Sequence, residues 1–135
     1  MNVNQINWLA VLAAAVSTFL VGGLWYSPVL FGKVWLRANG FTEAQAQGFN
    51  KARAFVGAFV LALVMSANLA MFLADPKTTV WWGMTAGALA GVGWVAAGIA
   101  VVALFENRSW TYILVNGGYL ILTFVLMGAI LGAWR

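Results

Sequence analysis

Cysteine and histidine are both missing from the 135 residues of this chain. Without them no disulfide, thiolate nucleophile, zinc cluster or imidazole base can be built. Charge is scarce too: 7% of the residues are Asp, Glu, Lys or Arg, where a soluble domain carries roughly 25%. The acids are Glu43, Asp75 and Glu106 alone. Two-carboxylate hydrolysis needs both groups at one bond, and these three are spread across different connections. The reading is a protein that is not an enzyme and needs no metal or other cofactor.

What is abundant is apolar. Hydrophobic residues make up 64% of the chain and the mean hydropathy is +0.91. Such a composition does not cover a water-facing surface, so lipid is the expected solvent, and the length allows one domain over residues 1–135. The formal net charge of +4 does not point to nucleic acid, because the cations flank apolar runs, where they orient helices and touch anionic lipid.

Crossing the hydrocarbon takes about 20 mainly apolar residues. Four runs without charge qualify, at about 7–25, 54–73, 80–104 and 111–131. Backbone groups in lipid must bond within their own segment, so each run is a helix. The expected fold is an all-α integral membrane four-helix bundle. The segment MNVNQIN lacks the cationic start of a signal peptide, so the first span is expected to be retained. Short links, ADPKTT and ENRS, join spans two to three and three to four and predict antiparallel neighbours. The first connection, about 26–53, is long.

Lys33, Arg37, Lys51, Arg53 and Arg108 fall on one side of this arrangement, Lys77 and Arg135 on the other. The cation rule then predicts a cytoplasmic long connection and both termini outside. Trp8, Trp81, Trp82 and Trp134 lie at the outer ends of spans and Trp25, Trp35 and Trp110 near the inner ends, as interfacial belts do.

Within the long connection, Pro28 disfavours helix just before it, so span one should stop near Ser27. A short interfacial helix follows, with Leu30, Phe31, Val34 and Trp35 on one face and Lys33 and Arg37 on the other. Asn39-Gly40 is a stop signal. Thr42 and Gln45 have capping-box spacing, starting a helix that is expected to run through Gly48 into span two.

Inside the spans the polar residues are Ser17, Thr18, Ser66, Asn68, Thr85, Asn116, Tyr119 and Thr123, with no carboxylate or cation of the kind proton-coupled carriers use. At about 1.5 Å per residue, Asn68 and Thr85 both lie roughly 7 Å inside the outer boundary, which predicts a hydrogen bond between them. Asn116 is expected to approach the backbone of span one at Gly22 and Gly23, and the mid-span Trp94 to bond Thr18 or Ser17. Gly83, Gly87 and Gly91, with Gly128 and Gly132 on span four, form small-residue stripes that allow close helix contact, either within the bundle or with a second copy.

Several elements in order are Asn7-Trp8, Gly23-Leu-Trp-Tyr-Ser-Pro28, Phe31-Gly-Lys-Val-Trp35, Phe105-Glu-Asn-Arg108, Asn116-Gly-Gly-Tyr119 and Met127-Gly-Ala-Ile-Leu-Gly-Ala-Trp134. In them the chain resembles the bacterial domain-of-unknown-function family 1761, small four-helix membrane proteins. The resemblance implies the four-span fold and names no activity. Members often have histidine after the tyrosine of the N-x-G-Y element; this chain has Leu120 there, which argues against an imidazole-dependent role.

These elements bring Trp25, Tyr26, Lys33, Trp35, Arg37, Glu106, Arg108, Asn116 and Tyr119 to one side, where Glu106 should pair with Lys33, Arg37 or Arg108. The cluster either moors the interfacial helix to the bundle or contacts an anionic lipid or solute. The expected partners are the bilayer and either further copies or a larger membrane complex. The leading function is a structural or accessory subunit packed through its glycine-rich helices. The alternative is a small channel or carrier for a neutral solute or lipid, formed by a homo-oligomer.

Overall fold

The computed structural model describes residues 3–135. It is helical, with no strand among the described residues. A short 3-10 turn, Val3–Gln5, precedes α1 (Trp8–Trp25). The long connection holds α2 (Gly32–Asn39) and α3 (Glu43–Gln47), and α4 is Lys51–Phe72. The third span is α5 (Val80–Ala90), a π-helical stretch Gly91–Ala96 and α6 (Ala97–Phe105). The fourth is α7 (Trp110–Ala133). Four helices, Trp8–Trp25, Lys51–Phe72, Val80–Phe105 and Trp110–Ala133, are long and apolar enough to cross a membrane. This is a multi-pass membrane protein.

Each span starts on a side-chain cap, which supplies acceptors for N–H groups that have no partner inside the helix. Asn7 accepts from Leu9 and Ala10. Asn50 accepts from Arg53, Thr79 from Trp82 and Ser109 from Tyr112. The third connection closes as a Schellman turn: Arg108 N–H donates to Ala103 O and Asn107 N–H to Leu104 O. Asn107 takes the left-handed conformation there at φ 58°, which Asn tolerates better than most residues.

The fourth span is the hub. It packs antiparallel to α1 and to α5, while α4 packs chiefly on α1. Contact with α5 is made backbone to backbone. A methyl on Gly83 would strike the Gly128 carbonyl, one on Gly128 the Gly83 carbonyl, and one on Gly87 the Phe124 carbonyl. At the end of the seam a methyl on Gly132 would lie 2.7 Å from Thr79 O. The glycine stripes therefore serve a neighbour inside the chain. Gly91 continues the seam against Ile121, and then the π turn inserts one residue. The next contact is Ala96, whose Cβ is 3.5 Å from a Cβ built on Gly117. Gly93 and Gly98, in contrast, have nothing within 4 Å.

Sequence reasoning missed that register shift and misjudged two pairings. The short ADPKTT link does place α4 beside α5, but across a groove of about 340 Å3 lined by Leu69, Phe72, Trp82, Ala86, Leu89, Ala90 and Trp94. Consequently Asn68 and Thr85 do not bond. Thr85 donates to the Trp81 carbonyl of its own helix at 2.8 Å, and Asn68 is exposed at an adjoining cavity that it lines with Val64, Met65 and Val95. Trp94 does not reach span one either. It is 69% exposed with its ring 6.3 Å from that of Phe72, while Ser17 and Thr18 donate to Ala14 and Ala15 carbonyls.

The far end is closed by Arg135, whose guanidinium donates to Leu73 O at 2.7 Å and to Asp75 O. A cation on the last carbonyls of α4 also suits the negative end of that helix.

Candidate functional site

The end opposite Arg135 gathers most of the residues singled out from sequence. Pro28 ends α1 at Trp25, and the chain reverses at once: Phe31 N–H donates to Trp25 O at 2.9 Å and Gly32 N–H to Ser27 O at 2.9 Å. Gly32 is required here, because a Cβ would lie 2.5 Å from the Tyr26 carbonyl oxygen.

The reversal lays α2 over the end of α7. Its inner face carries Val34 and Trp35, half-buried, and its outer face Lys33 and Arg37, exposed, as the helical spacing predicted; Leu30 and Phe31, expected on the inner face, precede the helix, and Leu30 is exposed. Gly40 (φ 68°) ends α2 with a second Schellman pair, Phe41 N–H to Leu36 O and Gly40 N–H to Arg37 O. The apolar contact typical of that motif is Trp35 against Phe41, ring centroids 5.8 Å apart. The Thr42–Gln45 capping box forms with both of its bonds. Its helix ends at Gly48, however, and α4 restarts on the Asn50 cap. The expected continuous helix is broken because Asn50 offers the first turn of α4 a cap of its own.

Trp25 and Tyr26 then bond into two consecutive residues of α7. Trp25 Nε1 donates to Val115 O at 2.8 Å, and Tyr26 Oη to Asn116 Oδ1 at 2.7 Å. Asn116 Nδ2 donates to Tyr112 O, so the amide is held at both ends. It meets the Tyr26 side chain; Gly22 faces the Tyr119 ring instead, and a Cβ on Gly23 would have nothing within 4 Å. Tyr119 Oη reaches Thr18 O at 3.3 Å. The rings of Tyr26 and Tyr119 are edge to face at 5.3 Å, those of Tyr26 and Trp35 at 5.9 Å, and those of Trp25 and Phe31 tilted at 4.5 Å. Burial in this cage pushes the Tyr26 phenol above its ordinary value, with the neighbouring Tyr119 and Tyr112 adding to the effect.

Charge stays at the rim. Glu106 Oε2 is 3.8 Å from Arg108 Nε, so of the three cations proposed from sequence it is Arg108 that pairs. Both side chains are substantially exposed and the pair contributes little, about 0–1 kcal/mol. Arg108 also covers the Tyr112 ring at 4.9 Å. Lys33 and Arg37 make no ion pair among the described residues.

Two cavities flank the Tyr26–Tyr119 pair. One, about 500 Å3, lies between α6 and α7 and includes Val102, Glu106 and Asn116. The other, about 610 Å3, lies between α1, α4 and α7 and includes Thr18, Phe55, Ala58 and Thr123. Sequence reasoning named neither, since a void between helices follows from their tilt and order and leaves no motif. Small residues on adjoining faces, such as Ala54, Ala58 and Ala62, were the available signal.

Comparison with known proteins gives one match. A family model described as "Protein of unknown function (DUF1761)" matches residues 9–132, and the chain belongs to that family. No curated protein and no solved structure matches it.

Proposed function

We propose that this member of the DUF1761 family is a non-enzymatic structural or accessory subunit of the bacterial inner membrane. The observation that carries the reading is the latch of Trp25 and Tyr26 onto Val115 and Asn116. The residues that look most like a site are committed to fastening the chain's own helices. Ser66, donating to Val11 O at 2.9 Å, and Arg135 on α4 do the same elsewhere. Because Gly83, Gly87 and Gly128 are buried between α5 and α7, a partner subunit or a second copy would dock on the outward apolar faces. Val56, Val60 and Val64 on α4, and Val101 and Leu104 on α6, are exposed there. The cation count supports a cytoplasmic α2–α3 end and periplasmic termini as part of this reading.

Extraction in polymer-bounded nanodiscs followed by native mass spectrometry tests this. The expected mass is an assembly of fixed stoichiometry, homo-oligomeric or with another membrane protein. A strict monomer without bound protein contradicts it.

A second reading, a carrier or holder for a neutral lipid or solute, is favoured by the 610 Å3 cavity, a volume in the range of ligand sites.

A further inference from the structure

Between α1, α4 and α7 the close packing of the bundle gives way. On the α4 wall, Ala54, Ala58 and Ala62 recur at four-residue spacing, and on the α1 wall stand Gly22 and Gly23. Short side chains on both sides leave a slot instead of a seam. Its rim includes Phe55, 54% exposed, and Leu61, 63% exposed, so the slot opens sideways toward the surrounding acyl chains.

Its polar lining is hydroxyl only: Thr18, Tyr26, Tyr119 and Thr123, with no charged residue among the lining side chains. Thr123 is the exceptional one. Four hydroxyl side chains are buried, Ser17, Thr18, Ser66 and Thr123. The first three donate to carbonyls, Ser17 to Ala14 O, Thr18 to Ala15 O and Ser66 to Val11 O. Thr123 is 1% exposed, and its Oγ1 has no hydrogen-bond partner among the described residues. The Tyr119 phenol is near enough to interact with it, but the well-formed hydrogen bond that Tyr119 donates runs to Thr18 O at 3.3 Å. A buried hydroxyl without a well-formed hydrogen bond is unfavourable, so a ligand oxygen offered to Thr123 would relieve a cost the fold otherwise carries.

Thr123 lies near the middle of α7, roughly 20 Å from its start at about 1.5 Å per residue. A phospholipid headgroup, held by its charge at the interface, does not supply an oxygen at that depth. We infer that the slot binds an uncharged membrane amphiphile whose carbonyl or hydroxyl oxygen pairs with Thr123. Its apolar remainder runs along Ala58 and Ala54 toward Phe55. This rests on the second reading above, that the cavity holds a lipid or neutral solute. A prenylquinone carbonyl and a prenyl alcohol share the required chemistry.

The test uses the full chain in phosphatidylcholine nanodiscs and compares three probes: a short-chain prenylquinone, a prenyl alcohol and a prenyl hydrocarbon of equal length without oxygen. Retention is read by native mass spectrometry against empty nanodiscs. The oxygenated probe that fits is retained more strongly than the hydrocarbon. Thr123→Val lowers its retention about fivefold to tenfold, leaves the hydrocarbon unchanged, and keeps or raises the thermal stability of the protein. Ala58→Phe fills the slot from an exposed position of α4 and abolishes retention; Ala54→Leu does so at the mouth should the first variant fail to fold. Which oxygenated probe is held identifies the class as ketone or alcohol. Equal retention of hydrocarbon and oxygenated probes, unaffected by Thr123→Val but lost in Ala58→Phe, overturns the pairing with Thr123 while leaving the lipid-holding reading standing. Retention unchanged in the slot-filling variants, or no retention of any probe, overturns both.

Discussion

Gly83→Ala is the substitution on which the packing account makes its largest claim. A methyl there meets the Gly128 carbonyl oxygen far inside the roughly 3.3 Å of an unstrained carbon–oxygen contact, and the carbonyl carbon at 3.0 Å. Neither obstacle is a side chain that can swing aside; both belong to the α7 backbone. The helices must therefore part by roughly 1 Å, and a gap of that size forfeits a quarter to half of each contact's dispersion energy. Overpacking of this kind costs about 1–3 kcal/mol or more. The helix preference of Ala over Gly returns about 1 kcal/mol, so with the upper end of that range, which a clash with rigid backbone calls for, a net loss of about 2 kcal/mol is expected. Gly93→Ala is the matched control, ten residues along the same span with nothing within 4 Å of its Cβ; it should be neutral or stabilise by about 0.5–1 kcal/mol. Unfolding in mixed dodecylmaltoside and dodecyl sulfate micelles, followed by circular dichroism, measures both. Equal effects at the two positions would refute the reasoning.

The latch makes two further predictions. Tyr26→Phe removes the bond to Asn116 and should cost about 1 kcal/mol in the same assay; Asn116→Ala should cost a similar amount, and the double variant less than the sum, because both delete one interaction. An additive double variant would deny the coupling. The folded pKa of Tyr26 is raised above the ordinary 10.0, so the protonated phenol is what the fold favours. Its stabilisation is present below pH 10 and lost as pH rises through the shifted value. Alkaline titration at 295 nm should therefore show the same absorbance step near pH 10 in wild type and Tyr26→Phe; a smaller step in the variant would mean an ordinary phenol. For orientation, alkaline phosphatase fused after Arg135 should be active and its fusion after Gly48 inactive, the reverse pattern overturning the cation-count topology.

The features legible in the sequence were those set by local physics. Span positions follow from apolar length, and the structure shifts their ends by a few residues at most, Lys51 in place of about 54 being the largest. The stop at Asn39-Gly40, the Thr42 capping box and the reversal at Pro28 depend on residues within a few positions of each other. Helix order did not follow in the same way. In lipid, burying an apolar face does not choose among partners that are all apolar. The choice falls to the closest backbone approach, Gly83 on Gly128, over the chain proximity of α4 and α5. That choice separates Asn68 from Thr85, turns Trp94 outward and opens the slot beside Thr123. The π turn that replaces Val95 by Ala96 in the seam has no signal in composition, since Gly91 and Gly93 fit an ordinary helix as well. At the Trp25–Tyr26 end the members were foreseeable from clustered aromatics, but the partner atoms on Val115 and Asn116 required the register of α1 on α7.

A chain without cysteine allows the central claim, that the α5–α7 seam closes within one molecule, to be tested by one disulfide. Ala96→Cys with Gly117→Cys places the two Cβ atoms about 3.5 Å apart, within disulfide range. Mild oxidation in native membranes should give a monomer of altered gel mobility that reverts on reduction. A disulfide-linked dimer as the main product would place the seam between copies and contradict the account.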